Sequence, residues 1–176
     1  MSWAPSNSTP STKGASMLTD EERCELARKL SKDEETAWSV IQFIRNLPEE
    51  CACDIIDKFS KSKHSTIRSE VAQYQTSLPQ KCACDIIKRL ANDEYYHVAG
   101  LVAKYQTNLP EDCACDIFET LTKNDNPSVR DVVACQPKLP EECACDIIHK
   151  LSDDEHRVIR LGAVNNPLYK RCDHAQ

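Results

Sequence analysis

The chain has 176 residues, enough for one domain with a buried core or for a short array of repeats. Its net charge of −6 argues against a phosphate-binding surface and therefore against nucleic acid as a partner. No apolar run reaches membrane-spanning length, and the polar N-terminus lacks the apolar core of a signal peptide. The sequence therefore predicts a soluble, cytoplasmic protein that does not bind a membrane.

The N-terminal segment, residues 1–17, is rich in Ser, Thr and Pro and shows no apolar periodicity. Such a segment cannot bury enough apolar surface to offset the entropy lost on folding, so we predict a disordered tail. Residues 18–176 form the predicted folded domain.

A ten-residue motif recurs four times in this domain. It is LPEECACDII at 47–56, LPQKCACDII at 78–87, LPEDCACDIF at 109–118 and LPEECACDII at 139–148. Each copy begins a unit, and a degenerate unit begins near residue 18, which gives five units. This period is typical of helical repeat proteins, in which each unit buries its apolar face only against its neighbours.

Each unit is predicted to contain two helices. The first helix follows the Leu-Pro pair, because proline suits the start of a helix. Its apolar residues, such as Ile55, Ile56 and Phe59, are spaced as on one helix face. The second helix follows a short polar loop, here called the joint, such as SKSKHS at 60–65. It begins most clearly at Asn126 and Pro127. The sequence therefore predicts an all-α fold.

The remaining predicted core residues follow the same spacing. In the degenerate unit, Leu26, Ala27 and Leu30 match Ile55, Ile56 and Phe59. The residues predicted to be buried on the second helices are Ile67, Val71, Ala72, Val98, Val102, Ala103, Val129, Val133, Ala134, Ile159, Ala163 and Val164.

Two segments carry a resemblance to a known class of repeat. NPSVRDVVACQPKLP (126–140) and EHRVIRLGAVNNP (155–167) resemble the second helices of HEAT-like repeats, and are most similar to the leucine-rich repeat variant group. The resemblance covers residues 18–168 by its period. It implies a right-handed α-solenoid of about five two-helix repeats that binds other proteins.

The CACD motif places its residues at different angles around the first helix. At about 100° per residue, Ala52 points into the core and Asp54 points to solvent. Cys51 and Cys53 lie about 200° apart on either side of the core face, so they cannot share one metal ion. Cys53 is therefore predicted to face Cys82 of the next unit.

The same geometry predicts that Cys84 faces Cys113 and that Cys115 faces Cys143. Three roles are open for these cysteines: thiols that pack between units, disulfides between units, or ligands for Cu(I) or Zn²⁺. The eleven cysteines cannot all pair internally, and a reducing cytoplasm opposes disulfides. We therefore expect reduced packing thiols, with no bound metal and no cofactor.

No catalytic motif is recognisable: the sequence has no glycine-rich phosphate loop, nucleophile elbow or metalloprotease helix. We therefore expect a protein that is not an enzyme. Cys135 lies on a second helix, outside the core stripe, and would be a reactive thiol if a basic group lay nearby. An ordinary exposed cysteine is the simpler interpretation.

One charged pair is predicted inside a unit. Asp154 of the last joint and Arg160 of the following helix occupy positions that often pair in HEAT-like repeats. Arg68 and Arg130 occupy the same helix position, but their own joints lack the matching Asp. The predicted series of pairs is therefore incomplete.

The second helices line the concave, binding side in proteins of the class that the chain resembles. We call their fifteen outward positions the outward strip. They are Trp38, Ser39, Gln42, Ser69, Glu70, Gln73, Gly100, Leu101, Lys104, Asp131, Val132, Cys135, Leu161, Gly162 and Asn165. Only Glu70, Lys104 and Asp131 are charged, whereas a merely solvated face would be charge-rich.

We predict that Trp38, Leu101, Lys104, Val132 and Leu161 bind a partner protein or peptide. Burial of the outward strip by the tail, by dimerisation or by a wider helix contact is the alternative, and a monomer is expected. The predicted function is that of a non-enzymatic protein-binding scaffold. The alternative is a thiol-rich metal-binding or redox protein that uses cysteine pairs between repeats.

Overall fold

A computed structural model describes residues 18–105 and 109–173. The predicted tail at 1–17 lies outside the described residues. Within them the chain is all-helical and has no strand, which confirms the predicted all-α class. The α-helices are α1 Asp20–Leu30, α2 Glu34–Phe43, α3 Glu49–Ser60, α4 Ser65–Gln73, α5 Gln80–Ala91, α6 Tyr96–Tyr105, α7 Glu111–Thr122, α8 Pro127–Ala134, α9 Ala144–Ser152, α10 Arg157–Asn165 and α11 Tyr169–Asp173. Short 3₁₀ helices, Ile44–Asn46 and Gln75–Ser77, follow α2 and α4.

Side-chain caps explain three of the helix starts. Thr19 and Glu22 form a capping box at α1, and the side chain of Asp33 accepts from Glu35 N at α2. Asn126 caps α8 by accepting from Ser128 N, and Pro127 takes the first helical position as predicted.

The fourth CACD helix begins later than the motif predicts. The first three start directly after the proline, whereas α9 starts at Ala144 with Cys143 as its N-cap. The backbone N–H of Glu142 donates to Glu111 Oε1 of the preceding unit at 3.0 Å. This hydrogen bond satisfies that N–H outside a helix, so the turn at 141–143 needs no helical geometry.

The helices pack in two rows. The first helices of the units, α1, α3, α5, α7 and α9, each contact the next member of their row. The second helices, α2, α4, α6, α8 and α10, form the other row in the same way. The apolar core lies between the rows.

The predicted faces of the first helices are confirmed from α3 onward. Their apolar residues are no more than 3% exposed: Ile55, Ile56, Phe59, Ile86, Ile87, Leu90, Ile117, Phe118, Leu121, Ile147, Ile148 and Leu151. The alanine of each CACD motif is buried and the aspartate is exposed. The angular reading of the motif was therefore correct.

Three predicted core residues are not buried. Leu26 and Leu30 of α1 are 46% and 39% exposed, while Ala27 between them is buried. Val164 of α10 is 45% exposed, whereas the other predicted residues of the second helices are buried. Within the described residues, α1 and α10 each have a row neighbour on one side only, which explains the exposure.

Candidate functional site

Ten of the eleven cysteines form disulfides: four bonds link successive units along the first row, and the fifth links α9 to α11. The bonds are Cys24–Cys51, Cys53–Cys82, Cys84–Cys113, Cys115–Cys143 and Cys145–Cys172. Their Cα–Cα separations of 5.2–6.0 Å lie in the usual range for disulfides. The protein is therefore a disulfide-stabilised helical protein.

The disulfides follow one rule along the chain. In the first three CACD motifs, the second cysteine bonds to the first cysteine of the next motif, across a separation of 28 or 29 residues. Consecutive loops do not overlap, and each encloses one pair of helices. Each disulfide therefore constrains one unit independently of the others.

The prediction of reduced thiols in a cytoplasmic protein was wrong. The three pairs predicted to face each other do so, but they are oxidised. Disulfides persist in oxidising surroundings and are rare in the cytosol, where glutathione and thioredoxin keep thiols reduced. Five disulfides therefore indicate a secreted or extracellular protein.

Two disulfides were not anticipated. Cys24 bonds to Cys51, and Cys145 bonds to Cys172 of the short helix α11. Each pair is 27 residues apart, close to the separation of the other three. This spacing was the signal that sequence reasoning missed.

The disulfides also change the metal hypothesis, because a sulfur bonded to another sulfur is not a thiolate ligand. Among the described residues, no group of three or more His, Cys, Asp or Glu side chains is arranged to hold a metal ion.

Cys135 is the one free cysteine and is exposed, as the sequence suggested. It caps the C-terminus of α8, where desolvation raises the pKa of its thiol and the Asp131 carboxylate raises it further. A Cβ at Gly162 of α10 would lie only 3.2 Å from Cys135 Sγ. Gly162 therefore gives the thiol room, and the environment lowers its reactivity at neutral pH.

The outward strip lies on the second row of helices. None of its fifteen residues is fully buried, and Gln42, Gln73, Lys104, Cys135 and Asn165 are all exposed. Because neighbouring second helices pack on one another, the strip crosses α2, α4, α6, α8 and α10 in order.

The five predicted partner-binding residues differ in exposure. Trp38 and Leu161 are 51% and 49% exposed, while Leu101 and Val132 are half-buried and pack against the core. Lys104 is exposed, and its ammonium lies 5.0 Å from the ring centroid of Tyr105. Trp38 and Leu161 are therefore the large apolar groups of the strip that are most available to a partner.

The charged pairs run between units rather than within them. Arg68 binds Asp93 through two hydrogen bonds, and Arg130 binds Asp154 in the same way. Asp154 therefore forms its ion pair with Arg130 of the preceding unit, and not with Arg160 as predicted. Arg160 Nη1 donates instead to the backbone carbonyl of Asp154 at 2.7 Å.

A second apolar surface lies beside α1 and α2. A cavity of about 470 Å³ is bordered by Leu26, Leu30, Val40 and Phe43, with Arg23 at its edge. Phe43 is 64% exposed. These are the side chains that have no further unit packed on them in the described part of the chain.

Neither a protein-family model nor a curated protein sequence matches this chain. Of the helices that the structure describes, none has the length and apolar character needed to cross a bilayer.

Proposed function

We propose that the chain is a non-enzymatic scaffold that binds another protein or a peptide across its outward strip. The observation that supports this function most directly is the composition of the strip. Fifteen accessible or half-accessible positions carry three charges, together with the exposed side chains of Trp38 and Leu161. A face that only meets water would be richer in charge, and exposed apolar groups gathered on one face favour a protein contact.

The disulfides support the same function through rigidity. Four of them link units along the first row and the fifth joins α9 to α11, while the strip lies on the second row. The covalent links therefore fix the spacing of the units without occupying the strip. A surface that is already ordered loses less entropy on binding.

The proposal includes the architecture that the resemblance implies, a right-handed α-solenoid of five HEAT-like repeats acting as a monomer. It is supported by the regular packing of each helix on the helix two positions along. Small-angle scattering on a solenoid should give a monomer about 50 Å long, because each unit adds ~10 Å. A dimer, or a compact globule of much smaller length, would contradict this part of the proposal.

Selection of a phage-displayed random peptide library on the oxidised protein tests binding. Peptides enriched on the wild type should bind at least about tenfold more weakly to the double variant Trp38→Ser and Leu161→Ser, because large apolar anchors dominate such contacts. Tyr96→Ser is a matched control, since Tyr96 is 55% exposed and lies outside the strip. Equal binding to both variants would refute the strip as the site.

The alternative function is that of a redox protein. It is supported by the fact that every CACD cysteine belongs to a disulfide between units or between α9 and α11. Incubation in glutathione buffers separates the two functions. Structural disulfides should stay oxidised at a cytosolic glutathione potential, whereas a redox protein should exchange at least one of them.

A further inference from the structure

The ion pairs between units create a repeated binding site for a guanidinium group. Arg68 donates to both carboxylate oxygens of Asp93 at 2.6 and 2.8 Å, and to the carbonyl of Ser62 in its own joint at 2.7 Å. Both side chains of this ion pair are less than a tenth exposed. Each such guanidinium thus fills the cleft between two successive joints.

The series is interrupted in two units. The position that holds Arg68 in one unit and Arg130 two units later holds Ala99 in the unit between them and Ala37 in the first unit. The matching acceptor positions hold Asn124 and Ser62, where the clefts of Arg68 and Arg130 have Asp93 and Asp154. The cleft between the joints at 91–94 and 122–126 therefore receives no guanidinium from this helix position.

The interrupted cleft is larger than its equivalent. It forms a cavity of about 630 Å³, whereas the cleft that contains Arg130 measures about 360 Å³. The two are built from matching positions, since Asp93, Glu94 and Asp125 of the first correspond to Asn124, Asp125 and Glu155 of the second. Arg130 lines the smaller cleft, whereas no arginine lines the larger one.

The Asp154 carboxylate of the equivalent cleft is replaced by Asn124, but its other acceptors have counterparts here. Arg130 binds the carbonyls of Asn124 and Asp125 at 2.8 and 3.3 Å, and also the Glu155 carboxylate at 3.2 Å. The counterparts are the carbonyls of Asp93 and Glu94, together with the exposed carboxylate of Asp125.

These counterparts are available to a ligand. Among the described residues, no donor forms a hydrogen bond with the Asp93 or Glu94 carbonyl. Lys123 also borders the cleft, but its ammonium lies 3.8 Å from Glu119, which offsets its charge.

We propose that the open cleft between the α5–α6 and α7–α8 joints binds a guanidinium group from an arginine side chain of a partner protein. A planar guanidinium can donate hydrogen bonds to carbonyl and carboxylate acceptors along more than one of its edges. The ammonium of lysine lacks this fixed forked geometry. The site lies outside the outward strip and does not depend on it. A partner protein that binds this cleft must therefore present an accessible arginine side chain.

Nuclear magnetic resonance titration with Nα-acetyl-arginine-N-methylamide tests the site at constant ionic strength. Saturable shifts are expected at the amides of Asp93, Glu94, Asn124 and Asp125. The lysine analogue should bind at least about tenfold more weakly, because its ammonium cannot make the forked contact. Equal binding of the two probes, or no saturable shift, would overturn the proposal.

Two variants and a control complete the test. Ala99→Arg supplies the guanidinium from within, as Arg68 and Arg130 do in their units, and should abolish the arginine response. Asp125→Asn, at an exposed position that leaves the fold intact, should weaken arginine binding at least about threefold. Asp153→Asn removes an exposed carboxylate from the next joint and should change nothing. If the arginine response persisted in either of the first two variants at full strength, the cleft would not be the site.

Discussion

Arg68 and Asp93, 25 residues apart, form a buried two-bond ion pair that joins the second helix of one unit to the joint of the next. Arg130 and Asp154 repeat it two units later. The hydrogen bonds that Arg68 and Arg130 donate to Asp93 and Asp154 raise the pKa of each guanidinium above its ordinary value. Successive units are therefore linked by ion pairs at the joints and by disulfides along the first row.

Removal of Asp93 should destabilise the protein strongly. Asp93→Ala leaves the guanidinium of Arg68 buried without its partner, and such losses cost about 3–5 kcal/mol in the free energy of unfolding. Asp85→Ala is the matched control, because Asp85 is exposed and should cost less than about 0.5 kcal/mol. Urea denaturation of both variants measures the difference. Equal costs would show that the ion pair contributes little.

Removal of one disulfide should lower the free energy of unfolding by more than the loss of the packing of two cysteine side chains would. Cys84→Ala with Cys113→Ala opens a loop whose ends are 29 residues apart, so the free energy of unfolding should fall by about 3.6 kcal/mol. Cys135→Ala, which breaks no disulfide, should cost less than about 1 kcal/mol. Denaturation under non-reducing conditions compares the two. A cost for the double variant as small as that of the control would mean that the bond is not formed in solution.

The number of free thiols tests the redox state directly. Denatured, non-reduced protein should react with one equivalent of Ellman's reagent, from Cys135, whereas a fully reduced chain would give eleven. In the folded protein, Cys135 should be alkylated more slowly than free cysteine at pH 8, since desolvation and Asp131 raise the pKa of its thiol. Asp131→Asn should increase that rate. More than one reactive thiol per denatured chain would contradict the disulfide assignment.

Stability should decline in acid partly through Asp154. Its hydrogen bonds with Arg130 lower the pKa of the carboxyl below its ordinary value. A lowered folded-state pKa contributes stability that is fully present above the unfolded pKa, ~3.9, and is lost as pH falls through the folded value. The difference in unfolding free energy between wild type and Asp154→Asn should therefore shrink below about pH 4. Asp153→Asn should follow the wild-type pH profile, and a constant Asp154→Asn difference would refute the linkage.

Substitutions in the outward strip should separate surface from core. Trp38→Ser and Leu161→Ser remove side chains that are about half exposed, so thermal stability should change little. Leu101→Ser should cost about 1 kcal/mol or more, because Leu101 is half-buried and packs against the core. Thermal melts of the three single variants measure this order. A large loss for Trp38→Ser or Leu161→Ser would place the strip in the core.

Much of the candidate site could be predicted from single helices. The fixed angle between successive residues placed Ala52 inside, Asp54 outside, and Cys53 toward Cys82. The same rule placed the outward strip, none of whose residues is fully buried. It failed at Leu26, Leu30 and Val164, because burial there depends on whether another unit packs on that side.

The sequence by itself determined the all-α class, the two-helix period, the buried faces of the first helices from α3 onward and three pairs of facing cysteines. These follow from the geometry of one helix and the repeat of its pattern. Only the tertiary structure decided that the cysteines are oxidised. It also decided that Asp154 pairs with Arg130 of the preceding unit and not with Arg160 of its own unit. It also revealed the open cleft between the α5–α6 and α7–α8 joints. The physical reason is that a disulfide and a buried ion pair depend on the distance between neighbouring units, and that distance is set by how the units stack.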